Sequence, residues 1–283
     1  MDPPGRGRRI ARRWHDPSSE GIIPRPRRGP AGHARALDAI LPVEESLLGL
    51  DIYVGSLTRY YTGNWETVIQ QYAREQGMAY VREGAPDPVD AISGAHEVRE
   101  AVLAWRQGVS QALGANIAAP LEWPEQSDSP YFSDKPAWDC YSALLIAAAH
   151  VEHPDLPLPP LAPEDWTTNP NVVASLAPGF RTRYPQLLAD VELWLPDTFG
   201  FTFRGPDVAG NKVGIGSAPT LLLQLQDLNQ RIWRAEPAQL AAWREAGADK
   251  GAPFDVSARF ALGIFLTLTT LAVQHRLPMK LDY

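Results

Sequence analysis

The sequence predicts one α+β domain from about Leu48 to Tyr283: a small, mostly antiparallel sheet packed by several helices. Three observations predict it. Leu50-Asp51-Ile52-Tyr53-Val54-Gly55 alternates like a strand, with Ile52 and Val54 on one side and Asp51, Tyr53 and Gly55 on the other. Val191 to Gly216 holds three more alternating runs separated by turn chemistry. The stretches between and after them carry apolar residues at steps of three and four, the spacing of helices.

Taken in order, the opening strand ends in Ser56, Thr58, Arg59, Tyr60 and Tyr61. Trp65, Val68, Ile69 and Tyr72 then recur at helical spacing, with Asn64 suited to the N-cap and Gly77 to the stop. Ala79-Tyr80-Val81-Arg82 reads as a short strand, and Gly84 to Pro88 as a turn. Val98, Val102, Trp105, Val109 and Ala112 form a single apolar stripe that Gly114 ends. Pro124 to Asp134 is a polar loop that still carries Tyr131 and Phe132. Pro136 suits the start of the next helix, and Trp138 to His150 is apolar almost all round, which predicts burial.

His153 to Pro185 is rich in proline and predicts a lid, binding loop or arm, with one helical turn at Val172 to Leu176. The alternating runs Val191-Leu193-Leu195, Phe199-Phe201-Phe203 and Val213-Ile215 predict a C-terminal three-strand antiparallel meander with one oily face. Ser217 caps the following helix, whose stripe is Leu221, Leu225, Leu228 and Ile232 and whose Asp227 and Arg231 pair at i,i+4. Pro237 to Ala246 and Ser257 to Gln274 are the last predicted helices.

Composition narrows the function classes. The net charge is −7 over 283 residues, and it is uneven: residues 1–47 hold nine Arg against six Asp or Glu. The body is therefore strongly acidic and repels phosphate backbones, so nucleic acid is not the expected partner. The single cysteine, Cys140, allows no intrachain disulfide and fits a reducing, cytoplasmic setting. Arginine outnumbers lysine heavily, and Ala, Pro and Gly abound, as in GC-rich bacterial coding sequences. Phe260 to Gln274 lacks charge but is shorter than a membrane span needs, so it reads as a core helix and no membrane is expected. No apolar signal region follows the N-terminal arginines. Residues 1–47, with Gly5-Arg6-Gly7-Arg8-Arg9 and Ile23 to Pro30, read as a disordered Arg/Pro-rich tail. Glu44-Glu45 is encodable as a purine-rich ribosome-binding sequence, which makes Leu48 a candidate start and the tail translated upstream sequence.

The chemistry-bearing residues are few. His150 and His153 share a helix face, but spacing supplies no third ligand, so no metal is expected. Cys140 lies within an apolar helix, which hides a thiol and raises its pKa. Gly214-x-Gly216 before Ser217 lacks the remainder of a phosphate-binding fingerprint, and no other cofactor motif occurs, so no cofactor is expected. Asp139, in an otherwise uncharged helix, reads either as a buried carboxylate partnered by Arg59 or Tyr53 or as an exposed first-turn residue that the helix dipole favours. The candidate polar cluster is thus Asp51, Tyr53, Arg59, Tyr60 and Asp139. The loop aromatics Trp123, Tyr131, Phe132 and Trp166, beside Glu122, Glu125 and Asp128, are candidates for recognition of a partner or cationic ligand.

The run Gly49-Leu50-Asp51-Ile52-Tyr53-Val54-Gly55-Ser56-Leu57-Thr58-Arg59-Tyr60-Tyr61 resembles the beginning of a group of conserved bacterial proteins of unknown function. Trp138-Asp139-Cys140-Tyr141 is similar to a later segment of them. The resemblance implies a bacterial, cytosolic origin and a start near Leu48, and attaches no activity. Two functional classes follow. One is a non-catalytic protein that binds another protein or a small ligand, of immunity or regulatory type. The other is a hydrolase or transferase built around Asp51, Tyr53, Arg59, Tyr60 and Asp139. A deep pocket at Asp51 and Arg59 favours the enzyme, and a filled core there favours the binder.

Overall fold

The computed structural model describes residues 50–77, 88–126 and 128–282, with backbone alone at 88–93. The expected tail at 1–47, the short strand at 79–82 and the turn at 84–87 lie outside the described residues. The first half of the chain forms β1 (Asp51–Val54), α1 (Leu57–Tyr61), α2 (Val68–Glu75), α3 (Pro88–Leu113), β2 (Phe132–Asp134) and α4 (Trp138–Glu152). The second half forms α5 (Pro170–Ser175), α6 (Pro185–Leu188), β3 (Leu193–Leu195), β4 (Phe203–Pro206), β5 (Lys212–Ser217), α7 (Ala218–Ile232), α8 (Pro237–Ala246), α9 (Phe254–His275) and β6 (Met279–Asp282).

The α+β class is as expected, but the sheet is not. The described strands make one six-stranded mixed sheet in the order β2-β1-β6-β3-β5-β4. β3 runs parallel to β5, while β6 lies between β1 and β3 and is antiparallel to both. The expected three-strand meander is therefore overturned. Its middle strand fails because the backbone of 197–201 bonds to side chains rather than to a neighbouring strand. Ser217 Oγ donates to Asp197 O at 2.8 Å, Thr220 Oγ1 to Phe199 O at 2.7 Å and Gln186 Nε2 to Phe201 O at 3.1 Å. Only Phe203–Pro206 remains extended, and it pairs with β5 alone among the described strands.

Helices cover both faces. Leu50, Ile52, Val54, Trp194, Met279 and Leu281 share one core with α4, α7 and α9. Leu193, Leu195, Val213 and Ile215 share the other with Leu57 of α1 and Val102 of α3. Among the described residues one helix, α9, is long and apolar enough to cross a membrane. It exceeds the run read from sequence, and it is packed into the first core against α4, α7 and α8.

Local chemistry explains several boundaries. α2 starts at Thr67, not Asn64, because Thr67 and Gln70 form a reciprocal capping box. Glycine is required in β5 by close approach: a Cβ at Gly214 would lie 1.8 Å from Asp190 O, and one at Gly216 2.1 Å from Gln186 Oε1. Those glycines serve packing.

Candidate functional site

The polar side of β1 is filled. Tyr53 is wholly buried, and its hydroxyl donates to Ser56 O at 2.9 Å. That fold-back needs Gly55, where a Cβ would lie 2.1 Å from the hydroxyl oxygen. The Tyr53 ring packs on Trp65 at 4.9 Å and on Tyr60 at 5.3 Å between centroids. Burial pushes its phenol well above the ordinary range, so Tyr53 stays protonated at neutral pH.

The other members of the expected cluster engage separate partners. Asp51 meets Lys135 Nζ at 3.2 Å, with both side chains largely shielded from water. Arg59 donates from Nε to Asn64 O and from Nη1 to Ser129 O, each at 2.5 Å, and its guanidinium stands 4.3 Å above the Tyr131 ring. Tyr60 donates to Asp282 Oδ1 at 2.5 Å. Asp139 accepts from Cys140 N at 2.8 Å and from Gly251 N at 3.4 Å. The expected Asp139–Arg59 or Asp139–Tyr53 bond is thus replaced by these. α4 does pack on the sheet, but on the side of Ile52 and Val54, so β1 stands between Asp139 and Tyr53. The structure brings Tyr53, Arg59 and Tyr60 together, with Tyr53 packed on Tyr60 and both Tyr53 and Arg59 against the Tyr131 ring, and leaves Asp139 apart from them.

The loop aromatics divide. Trp123 is a core residue, 3% exposed, and its indole N–H donates to Glu125. The Glu125 carboxylate, buried beside it, accepts from Leu57 N at 3.0 Å and from Thr58 N and Thr58 Oγ1 at 2.8 Å each. It caps α1 together with Ser56, whose Oγ accepts from Arg59 N at 3.2 Å. Trp166 stacks on Trp138 at 6.1 Å and meets Tyr141 edge-on at 5.1 Å. Tyr131 and Phe132, both half-buried, stay at the surface beside β2. His150 faces Asn171 at 3.4 Å and His153 packs on Phe180 at 4.8 Å, so the two imidazoles have different neighbours. Among the described residues no group of three His, Cys, Asp or Glu is placed to hold a metal ion.

Two features escaped the sequence. Asp207, 4% exposed, accepts from the Tyr61 hydroxyl at 3.0 Å and lies 3.8 Å from Lys280 Nζ. The alternation Met279-Lys280-Leu281-Asp282 was the signal available for that strand.

The second is an open groove of about 430 Å³ beside β2, lined by Gln71 and Arg74 of α2, by Tyr131, Phe132 and Ser133, and by Arg244 of α8. Leu268 and Leu271 of α9 add apolar wall. Gln71 Nε2 donates to Ser133 Oγ at 2.8 Å and to Glu66 O at 2.9 Å, which fastens α2 to the strand. Arg74 Nε lies 3.4 Å from Glu66, and Arg244 Nε lies 2.6 Å from Asp134. No signal in the sequence joins Arg74 to Arg244, since both sit on the polar faces of separate helices.

No protein-family model, curated protein or solved structure matches the chain. The fold and the groove therefore carry the functional reading.

Proposed function

We propose that this is a non-catalytic binding protein, of regulatory or immunity type, working in the bacterial cytoplasm. The supporting observation is the groove beside β2, which is lined by the half-buried Tyr131 and Phe132. Aromatic side chains offer large contact area at small entropic cost, which suits them to hold a partner. The residues that suggested chemistry are instead engaged within the fold: Tyr53 with Ser56, Asp51 with Lys135, and Asp139 with Gly251.

A site-specific photo-crosslink tests the reading. Phe132→p-benzoylphenylalanine, expressed in bacterial cells and irradiated, gives a discrete crosslinked species. The same substitution at Leu223, 64% exposed on α7, gives none. Identical results at the two positions would remove the groove from the function.

A further inference from the structure

We propose that the groove receives an extended acidic segment of another polypeptide, added to the sheet along the outer edge of β2. This rests on the binding reading above and supplies the chemistry of the partner.

The position of the groove carries the inference. Among the described strands β2 is outermost and pairs with β1 alone, in the register Ile52↔Asp134, Tyr53↔Ser133 and Val54↔Phe132. A strand in that position has a main-chain edge able to ladder with one more chain. The lining comes from both faces of the sheet. Ser133 stands opposite Tyr53, on the side where α2 brings Gln71 and Arg74. Phe132 stands opposite Val54, on the side where α8 and α9 bring Arg244 and Leu268. An open groove lined by residues of both sheet faces at the sheet margin borders the plane of the sheet. That is where the next strand runs, about 4.8 Å from its neighbour.

Charge then selects the occupant locally, through two arginines and against the acidic balance of the whole body. Arg74 and Arg244 belong to the two opposite walls. Successive side chains of a strand point to opposite faces, so two adjacent carboxylates on an incoming strand reach one arginine each. The existing ion pairs engage Nε of each arginine. A guanidinium has a further pair of donors on its Nη side, which another carboxylate can accept from. A second copy of this chain docking edge to edge would bring arginine against arginine. A compact small molecule would remain largely in water in so open a groove, whereas a strand gains main-chain hydrogen bonds along its length.

The test uses the full chain and fluorescein-labelled hexapeptides read by anisotropy. The probe is Thr-Val-Glu-Glu-Val-Thr-amide with carboxyfluorescein on its N-terminal amine, and its control, labelled at the same amine, has Lys-Lys in place of Glu-Glu. The acidic peptide is expected to bind at least tenfold more tightly than the basic one. Arg74→Gln and Arg244→Gln should each weaken it by roughly tenfold while leaving the circular dichroism spectrum unchanged. N-methylation of alternate peptide bonds should abolish binding, because it removes ladder donors. Equal binding of both peptides, no binding of either, or no response to the arginine variants would overturn the proposal. Undiminished binding of the N-methylated peptide would overturn strand addition, and equal competition by glutarate would overturn a polypeptide occupant. A crosslink at position 132 combined with any of these failures leaves the binding reading standing and removes this inference alone. Absence of both removes both.

Discussion

Glu125 sits in a loop that composition marks as polar and exposed, yet its carboxylate is the acceptor for four buried donors. They are Leu57 N, Thr58 N, the Thr58 hydroxyl and the Trp123 indole. Glu125→Ala leaves all four without that acceptor, and each orphaned buried donor costs about 1–3 kcal/mol. Urea unfolding should therefore show a loss of at least about 3 kcal/mol, with Glu125→Gln milder because one acceptor oxygen remains. Asp197 works in the opposite sense. Burial raises its pKa above the ordinary carboxylate value, against the pull of Arg276 and Arg106. A raised folded pKa means that its stabilising contribution is complete below the unfolded value, near 3.9, and is lost as pH rises through the folded value. Asp197→Asn should thus raise the melting temperature at pH 7, with the gain vanishing near pH 3. An equal gain at both pH values would assign the effect to something other than ionisation. The burial of Cys140 follows the reading from its apolar helix, and burial pushes its thiol up to about 12. The Asp227–Arg231 pair at 2.8 Å was likewise legible, because both partners lie on one helical turn. Glu125 is not legible, because Leu57 and Thr58 lie far off in sequence, and neither is the contact of Asp139 with Gly251, although its shorter bond, from Cys140 N, is local.

The long helices were read from their own periodicity. α3, α4, α7 and α9 each carry a stripe, or an apolar surface all round, long enough to stand out. Short elements depend on tertiary partners. α1 spans five residues and owes its start to Ser56 and the distant Glu125. β2 spans three residues, too few for alternation to declare itself. β6 had the alternation, but four residues after a long helix gave no reason to place them at the centre of a sheet. The groove compounds the difficulty. Its walls come from α2, β2, α8 and α9, and each contributes residues that, alone, read as an ordinary wet face. The shortness of β2 also has a physical use: a brief edge strand flanked by arginines resists indiscriminate pairing with other edges.

At the scale of the molecule, the class was legible and the strand order was not. Alternation fixes which face a residue takes, and it did so correctly for Ile52 and Val54 against Tyr53. It says nothing of which strand lies next to which, and the parallel β3–β5 pair and the insertion of β6 are both matters of neighbours. That insertion gives the sheet a highly non-local pairing. The β1–β6 ladder joins residue 51 to residue 282, so the loop it closes is nearly the whole described chain. Non-local pairing of this kind slows folding, whereas contacts such as α8 on α9 are near in sequence and form early. β1 and β6 are antiparallel with Asp51 opposite Asp282, a geometry that a two-residue Asn-Gly turn can bridge. A circular permutant joining 282 to 51 by that turn, and opened between the exposed Pro178 and Gly179, converts the slowest ladder into a local hairpin. Stopped-flow refolding of the permutant should be faster than that of residues 51–282 in natural order, with the unfolding limb little changed. The same rate for both would mean that the sheet is already drawn together before β6 arrives.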